Sequence, residues 1–216
     1  MDSPPQVIAV IIDISRSRSH VDRGALQRQL EQAFDRVNSI VIADQAIEPT
    51  IGDEFQAVYR DLGSALHAIL LARLFVPDGV ECRFGIGRGE ITAIGAGVVG
   101  IVQDGSAWWS AREAIDKARK LEYSRLGSVR SWFRSADGEI DADESPVNAW
   151  LLARDHLVGK MSVRARRLLL GQLLGLTQTE LAVKEGITQS AVSQSLSHSG
   201  ANTLLAGDAL LTGSRR

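Results

Sequence analysis

Hydrophobic positions change their period several times along this chain, and each change predicts an element. Residues 7–13 form a continuous apolar run, rich in β-branched side chains, that ends on Asp13. Such a run reads as a buried central strand. A polar stretch at 14–20 follows. Asp22 then stands where a helix N-cap belongs, and Leu26, Leu30, Ala33, Phe34 and Val37 recur on one helical face as far as residue 38. Segments 47–51 and 55–59 flank Gly52-Asp53 and predict a hairpin. Asp61 opens a second helix to residue 75, carrying Leu62, Leu66, Ile69, Leu70 and Leu74, and Pro77-Asp78-Gly79 ends it. A strand pair is expected in 80–94, with Gly85, Gly87 and Gly89 on alternate positions, then a helix at 106–121 and a strand at 128–134.

The order strand, helix, hairpin, helix, strand predicts an α+β fold: a ferredoxin-like or palm (βαββαβ) antiparallel sheet with helices on one face. The acidic segment 136–146 has no apolar period and reads as a linker. Everything beyond it is helical in pattern. The expected division is a palm-like domain at 1–135, a linker at 136–146 and an all-α domain at 147–216. No internal repeat is visible.

Composition refines this division. The net charge is only -2, which argues against nucleic-acid binding over the whole surface, yet the charge is uneven. Residues 148–216 hold 8 Lys/Arg against 4 acids, whereas residues 1–147 hold 16 against 22. An acidic front and a basic back suggest different partners. Cys82, the one cysteine, forms no internal disulfide, reads as a buried strand thiol and fits a reducing compartment. The N-terminus lacks the basic and apolar regions of a signal peptide, and no apolar run reaches the ~20 residues that span a bilayer. The expectation is a cytoplasmic protein with no membrane partner.

The candidate chemistry begins at the hairpin. Asp53 and Glu54 at its tip and Asp13 at the end of the first strand are expected on one sheet edge, where hard oxygen ligands suit Mg2+ or Mn2+. Each acid alone equally suits a solvated turn or strand end; their convergence favours a metal. Gly52, Gly85 and Gly87 are candidate positions for close approach of a nucleotide, though the strand glycines equally suit packing. Arg18 and Arg83, with Arg16, are candidate phosphate contacts. Asp104 is either a further ligand or, the favoured reading, a turn residue before a helix at Ser106.

Four segments then carry a family resemblance: Asp13-Ile14 with Ser17-Arg18, Gly52-Asp53-Glu54-Phe55-Gln56, Arg83-Phe84-Gly85-Ile86-Gly87 with Gly89-Glu90-Ile91, and Asp104-Gly105-Ser106-Ala107 with Ala111-Arg112-Glu113-Ala114-Ile115. In this order, over residues 7–120, the chain resembles the SatD family. SatD proteins in turn resemble palm-like nucleotide cyclases of the Gly-Gly-Asp-Glu-Phe type. That resemblance implies metal ligation by Asp13 and Asp53. The chain departs from the cyclase pattern at Ile51, which stands where a cyclase has its first glycine.

Residues 176–196 carry the strongest local motif. Thr177 and Glu180 form a capping box, Ala182 is small where helices cross, Gly186 takes the turn, and Thr188 caps the next helix. The segment 178–192 resembles the helix-turn-helix of Cro-like repressors. Gln189, Ser190, Ser193 and Gln194, with Thr188 at the start, are then the base-facing positions, and Arg164, Arg166, Arg167 and Lys184 the phosphate contacts.

The sequence thus predicts a DNA-binding transcriptional regulator whose partner is double-stranded DNA. Its palm-like domain would bind a metal or nucleotide, or serve as a dimerisation platform. A homodimer is expected, because a recognition helix without Arg or Lys has modest electrostatic affinity and two copies on adjacent half-sites would supply the rest. The alternative is a Mg2+- or Mn2+-dependent nucleotide cyclase or nucleotidyltransferase using Asp13 and Asp53.

Overall fold

The computed structural model describes residues 6–15, 22–50, 52–96, 101–137 and 141–213. Among these, the apolar run forms strand β1 (Val7–Ile14), followed by α1 (Arg23–Asn38), β2 (Gln45–Pro49), β3 (Glu54–Tyr59), α2 (Leu62–Phe75) and β4 (Cys82–Gly89). A two-stranded ribbon, β5 (Thr92–Ala96) with β6 (Ile101–Asp104), leads into α3 (Ser106–Glu122) and β7 (Ser131–Ser135). The expected caps are in place: the Asp22 carboxylate accepts from Ala25 N and that of Asp61 from Ser64 N, each at 2.8 Å.

The five-stranded sheet runs β2-β3-β1-β4-β7. Every pairing is antiparallel except β4 with β7, which is parallel. The chain is therefore a mixed α+β protein with β1 at the sheet centre. Ile8, Val10, Ile12 and Ile14 pack with α1 and α2, while Ala9 and Ile11 face α3. This corrects the expectation of helices on one face. A strand that is apolar at every position must have both faces covered, and α3 supplies the second layer. The expected pairing within 80–94 is corrected too: β5 pairs with β6, not with β4.

Glycines set how closely α3 lies. A Cβ at Gly85 would strike Ala111 and Ile115, and one at Gly87 would strike Ala107 and Ala111. The alternate glycines of β4 form a seat for the helix backbone.

Beyond the sheet come α4 (Glu144–Lys160), α5 (Val163–Leu173), α6 (Gln178–Glu185), α7 (Gln189–His198) and α8 (Ala201–Thr212). Their core of Leu168, Leu169, Leu181, Val192, Leu196 and Leu204 also takes in Leu70 of α2. Polar contacts cross from sheet to helices as well. The side chain of Asn148 in α4 accepts from Phe133 N through its carbonyl oxygen and donates to Phe133 O through its amide, satisfying Phe133 on the outer edge of β7. His67 of α2 lies 2.8 Å from Asp208 of α8. The acidic segment is anchored: Arg88 pairs with Asp141 at 2.7 Å and Asp143 at 2.8 Å, and α4 begins within it. Among the described residues, no helix is long and apolar enough to cross a membrane.

Candidate functional site

The end of β1 gathers the acids singled out in the sequence. Across the ladder, Asp13 stands opposite Glu54 on β3 and opposite Arg83 on β4. Residues directly opposite in an antiparallel pair share a face, here the face under α3. That helix lays Arg112, Asp116, Arg119 and Glu122 over the strand ends at helical spacing.

The acids are paired with guanidinium groups. Arg83 Nε donates to Asp13 Oδ1 at 2.7 Å, and Arg119 Nη2 donates to Asp13 Oδ2 at 2.6 Å. Arg112 holds both oxygens of Glu54, at 2.6 and 2.9 Å. Glu122 accepts from Arg83 Nη1 at 3.1 Å and from the Ser15 hydroxyl at 2.9 Å. Burial works against the charge on Arg83, yet the bond to Asp13 and the charges of Asp13 and Glu122 hold its affinity for the proton above the ordinary value. The Glu54 bond raises that of Arg112 despite its partial burial. These are charge-assisted bonds, one of them bidentate.

This donor set does not fit a metal as it stands. Both Asp13 oxygens and both Glu54 oxygens already accept from arginine. Among the described residues, no group of three His, Cys, Asp or Glu side chains is placed to hold an ion. Asp53 is half-buried beside Glu54 in the turn, next to Gly52 with its φ of 86°.

The nucleotide positions divide. The space toward which Gly85 and Gly87 open is filled by α3, so they are packing glycines and admit no ligand there. Arg83 is spent on Asp13 and Glu122. Arg18, Arg16 and Ile51 lie outside the described residues. Asp104 accepts from Gly105 N and Trp109 Nε1, both at 2.8 Å, as a turn residue would.

The C-terminal motif is built as its residues require. Thr177 accepts from Glu180 N at 3.2 Å and Glu180 accepts from Thr177 N at 2.7 Å, the reciprocal pair of a capping box. Those Thr177 bonds lower the Glu180 pKa. Gly186 ends α6 in the left-handed region at φ 65°, and Thr188 caps α7 by accepting from Ala191 N. Leu181, Ala182, Val192 and Leu196 are buried, while Gln189, Ser190, Ser193 and Gln194 are exposed. Gln189 Nε2 donates to Gln178 at 2.8 Å, and the hydroxyls of Thr188 and Ser190 lie 2.9 Å apart. Lys184 is exposed, Arg167 pairs with Glu185 at 3.2 Å, and Arg166 is half-buried with Nε donating to Val158 O.

The SatD family profile matches residues 7–208. The chain belongs to the SatD family. The matched residues span both the sheet and the C-terminal helices. Among solved structures, the chain is similar to the guanylate cyclase domain of RhGC from Catenaria anguillulae in complex with GTP. Identity there is 18%, the match covers 50% of this chain and 71% of that one, and the TM-score is 0.40. The comparison with curated proteins returns no match.

Sequence reading missed the arginine partners in this SatD-family chain. Arg112 and Arg119 are seven residues apart on an amphipathic helix, and that spacing was the available signal. It also missed the buried cluster at Asp155. There Arg73 donates at 2.6 Å, Arg154 at 2.9 Å, and the backbone amides of Arg130 and Ser131 at 2.7 and 2.8 Å. Arg154, counted among the basic residues of the C-terminal part, is wholly buried and not on the surface.

Proposed function

We propose that this protein is a DNA-binding transcriptional regulator in which α6 and α7 form the reading unit. The sheet part acts as a sensor or pairing platform for it. The observation that carries this reading is the exposed row Gln189, Ser190, Ser193 and Gln194 on the first turns of α7, whose opposite face is buried. Glutamine can bond adenine through two atoms and serine several base edges, and a recognition helix uses its N-terminal residues to do so. Lys184 and Arg167 would meet phosphates beside the groove.

The ties between sheet and helices give the sensor role its route. Any ligand or pairing event that shifts α2 bears on α8 through His67 and Asp208, and on α4 through Arg73 and Asp155. Two copies would set two α7 helices on successive major-groove turns, about 34 Å apart.

The test is fluorescence anisotropy on duplexes selected from a random pool. Gln189→Ala with Ser190→Ala should abolish sequence preference. Lys184→Ala should weaken all sequences alike and reduce the salt slope by about 1. Binding that none of these substitutions changes would end the assignment.

A second reading, a Mg2+- or Mn2+-dependent nucleotide cyclase or nucleotidyltransferase, has one observation in its favour. Asp13 and Glu54 face each other at the strand ends beside Asp53. It requires Arg83, Arg112 and Arg119 to release their carboxylates. Incubation with nucleoside triphosphates and Mn2+, followed by product chromatography, separates the readings, because only the enzyme turns substrate over.

A further inference from the structure

The glycine seat centres α3 on β4, between β1 and the outer strand β7, and the helix meets β7 along one side. A cleft of about 480 Å3 lies there, lined by Lys117 and Lys120 of α3, Trp132 and Arg134 of β7, and Glu144 at the start of α4. Pockets for small ligands occupy about 300–1,000 Å3, so its size suits one. It is distinct from the carboxylates at the end of β1.

The charges in the cleft are divided unequally. Arg134 is satisfied: it donates to Glu144 at 2.9 Å and reaches Glu113 at 3.4 Å, and the Glu144 bond strengthens its hold on its proton. Glu113 and Asp116 of α3 also line the cleft, and Asp116 lies 3.7 Å from Arg119, so each acid of the lining has an arginine beside it. Lys117 and Lys120 have no carboxylate partner among the described residues. Lys117 Nζ sits 5.9 Å from the centre of the Trp132 ring. Trp132 is half-buried, although its neighbours on β7, Ser131 and Phe133, are fully covered. A half-buried indole beside two ammonium groups without carboxylate partners, one of them resting over the ring, pairs a stacking surface with anion donors.

The geometry points to a binding site for a free mononucleotide, its base stacked on Trp132 and its phosphate held by Lys117 and Lys120. On entry, the base takes the ring face that Lys117 now covers, and the released ammonium turns to the phosphate. This inference stands whether or not α7 reads DNA, because its test contains no duplex.

The experiment is titration of the full chain with AMP and GMP, followed by calorimetry and by tryptophan fluorescence. A saturable signal is expected. Lys117→Ala with Lys120→Ala should weaken it by roughly ten-fold, the scale of one charge-assisted contact. Trp132→Leu should remove the fluorescence change, and Trp132→Phe should retain binding in calorimetry, which guards against a folding defect in the leucine variant. Adenosine and guanosine should bind more weakly than their monophosphates. No saturable binding, binding indifferent to the lysines, or binding only of a single-stranded oligonucleotide would overturn the assignment.

Discussion

Asp155 of α4 accepts a 2.6 Å hydrogen bond from Arg73 of α2, with both side chains almost fully buried. The other Asp155 oxygen takes the backbone amides of Arg130 and Ser131 where β7 begins. One carboxylate therefore ties a helix of the C-terminal part to two elements of the sheet part. Removing the acid leaves the buried guanidinium groups of Arg73 and Arg154 without their shared carboxylate and two backbone amides without their acceptor.

Asp155→Ala should cost about 3–5 kcal/mol, the range for breaking a buried ion pair from one side. Urea unfolding followed by circular dichroism measures the loss. A cost under about 1 kcal/mol would mean that the cluster relaxes or hydrates.

The seat for α3 makes a steric prediction. Gly87→Ala should destabilise by about 1–3 kcal/mol, because its methyl meets helix backbone that can yield only by lifting α3. Gly95→Ala, where no atom of the described residues stands within 4 Å, is the control and should change stability little. Equal effects at the two sites would show that α3 does not lie this close.

Cys82 is buried in β4, and burial, followed by the charges of Asp13 and Glu81, pushes its thiol up to about 12. The thiolate is the reactive form. An aromatic disulfide reagent at pH 8 should therefore leave native protein unmodified and react fully once urea unfolds it. The sign of the linkage follows. The folded pKa exceeds the unfolded 9.0, so the thiol's contribution to stability is complete below that pH and lost as pH rises toward about 12.

Asp141 titrates the other way. Burial raises its pKa, but bonds from Ser135, the Asp143 amide and Arg88 outweigh this and lower it from 3.8. Its contribution is present above the ordinary carboxylate range and lost as pH falls through the lowered value. Asp141→Asn should flatten the acid limb of stability against pH and leave the neutral region less stable than the parent. An unchanged acid limb would show that Arg88 does not depend on this acid.

Much of the fold was legible because local chemistry fixed it. The run 7–13, the Asp22 and Asp61 caps, the Thr177–Glu180 box and Gly186 each determine their own backbone within a few residues, and each appears where the pattern put it. The candidate site was legible only in part. Sequence brought Asp13 and Glu54 to one edge, since antiparallel register follows from alternation.

Sequence did not show what meets those acids. Asp13 lies 70 residues from Arg83 and 106 from Arg119, and no period links them. Which face α3 covers, why the β4 glycines are bare, and whether a carboxylate meets a cation or an arginine depend on long-range packing. The sequence by itself determined the elements, their order and the turn of the C-terminal motif, because those rest on contacts between near neighbours. Only the tertiary structure decided that the acids of the hairpin are held by arginines, because that depends on where a helix comes to rest.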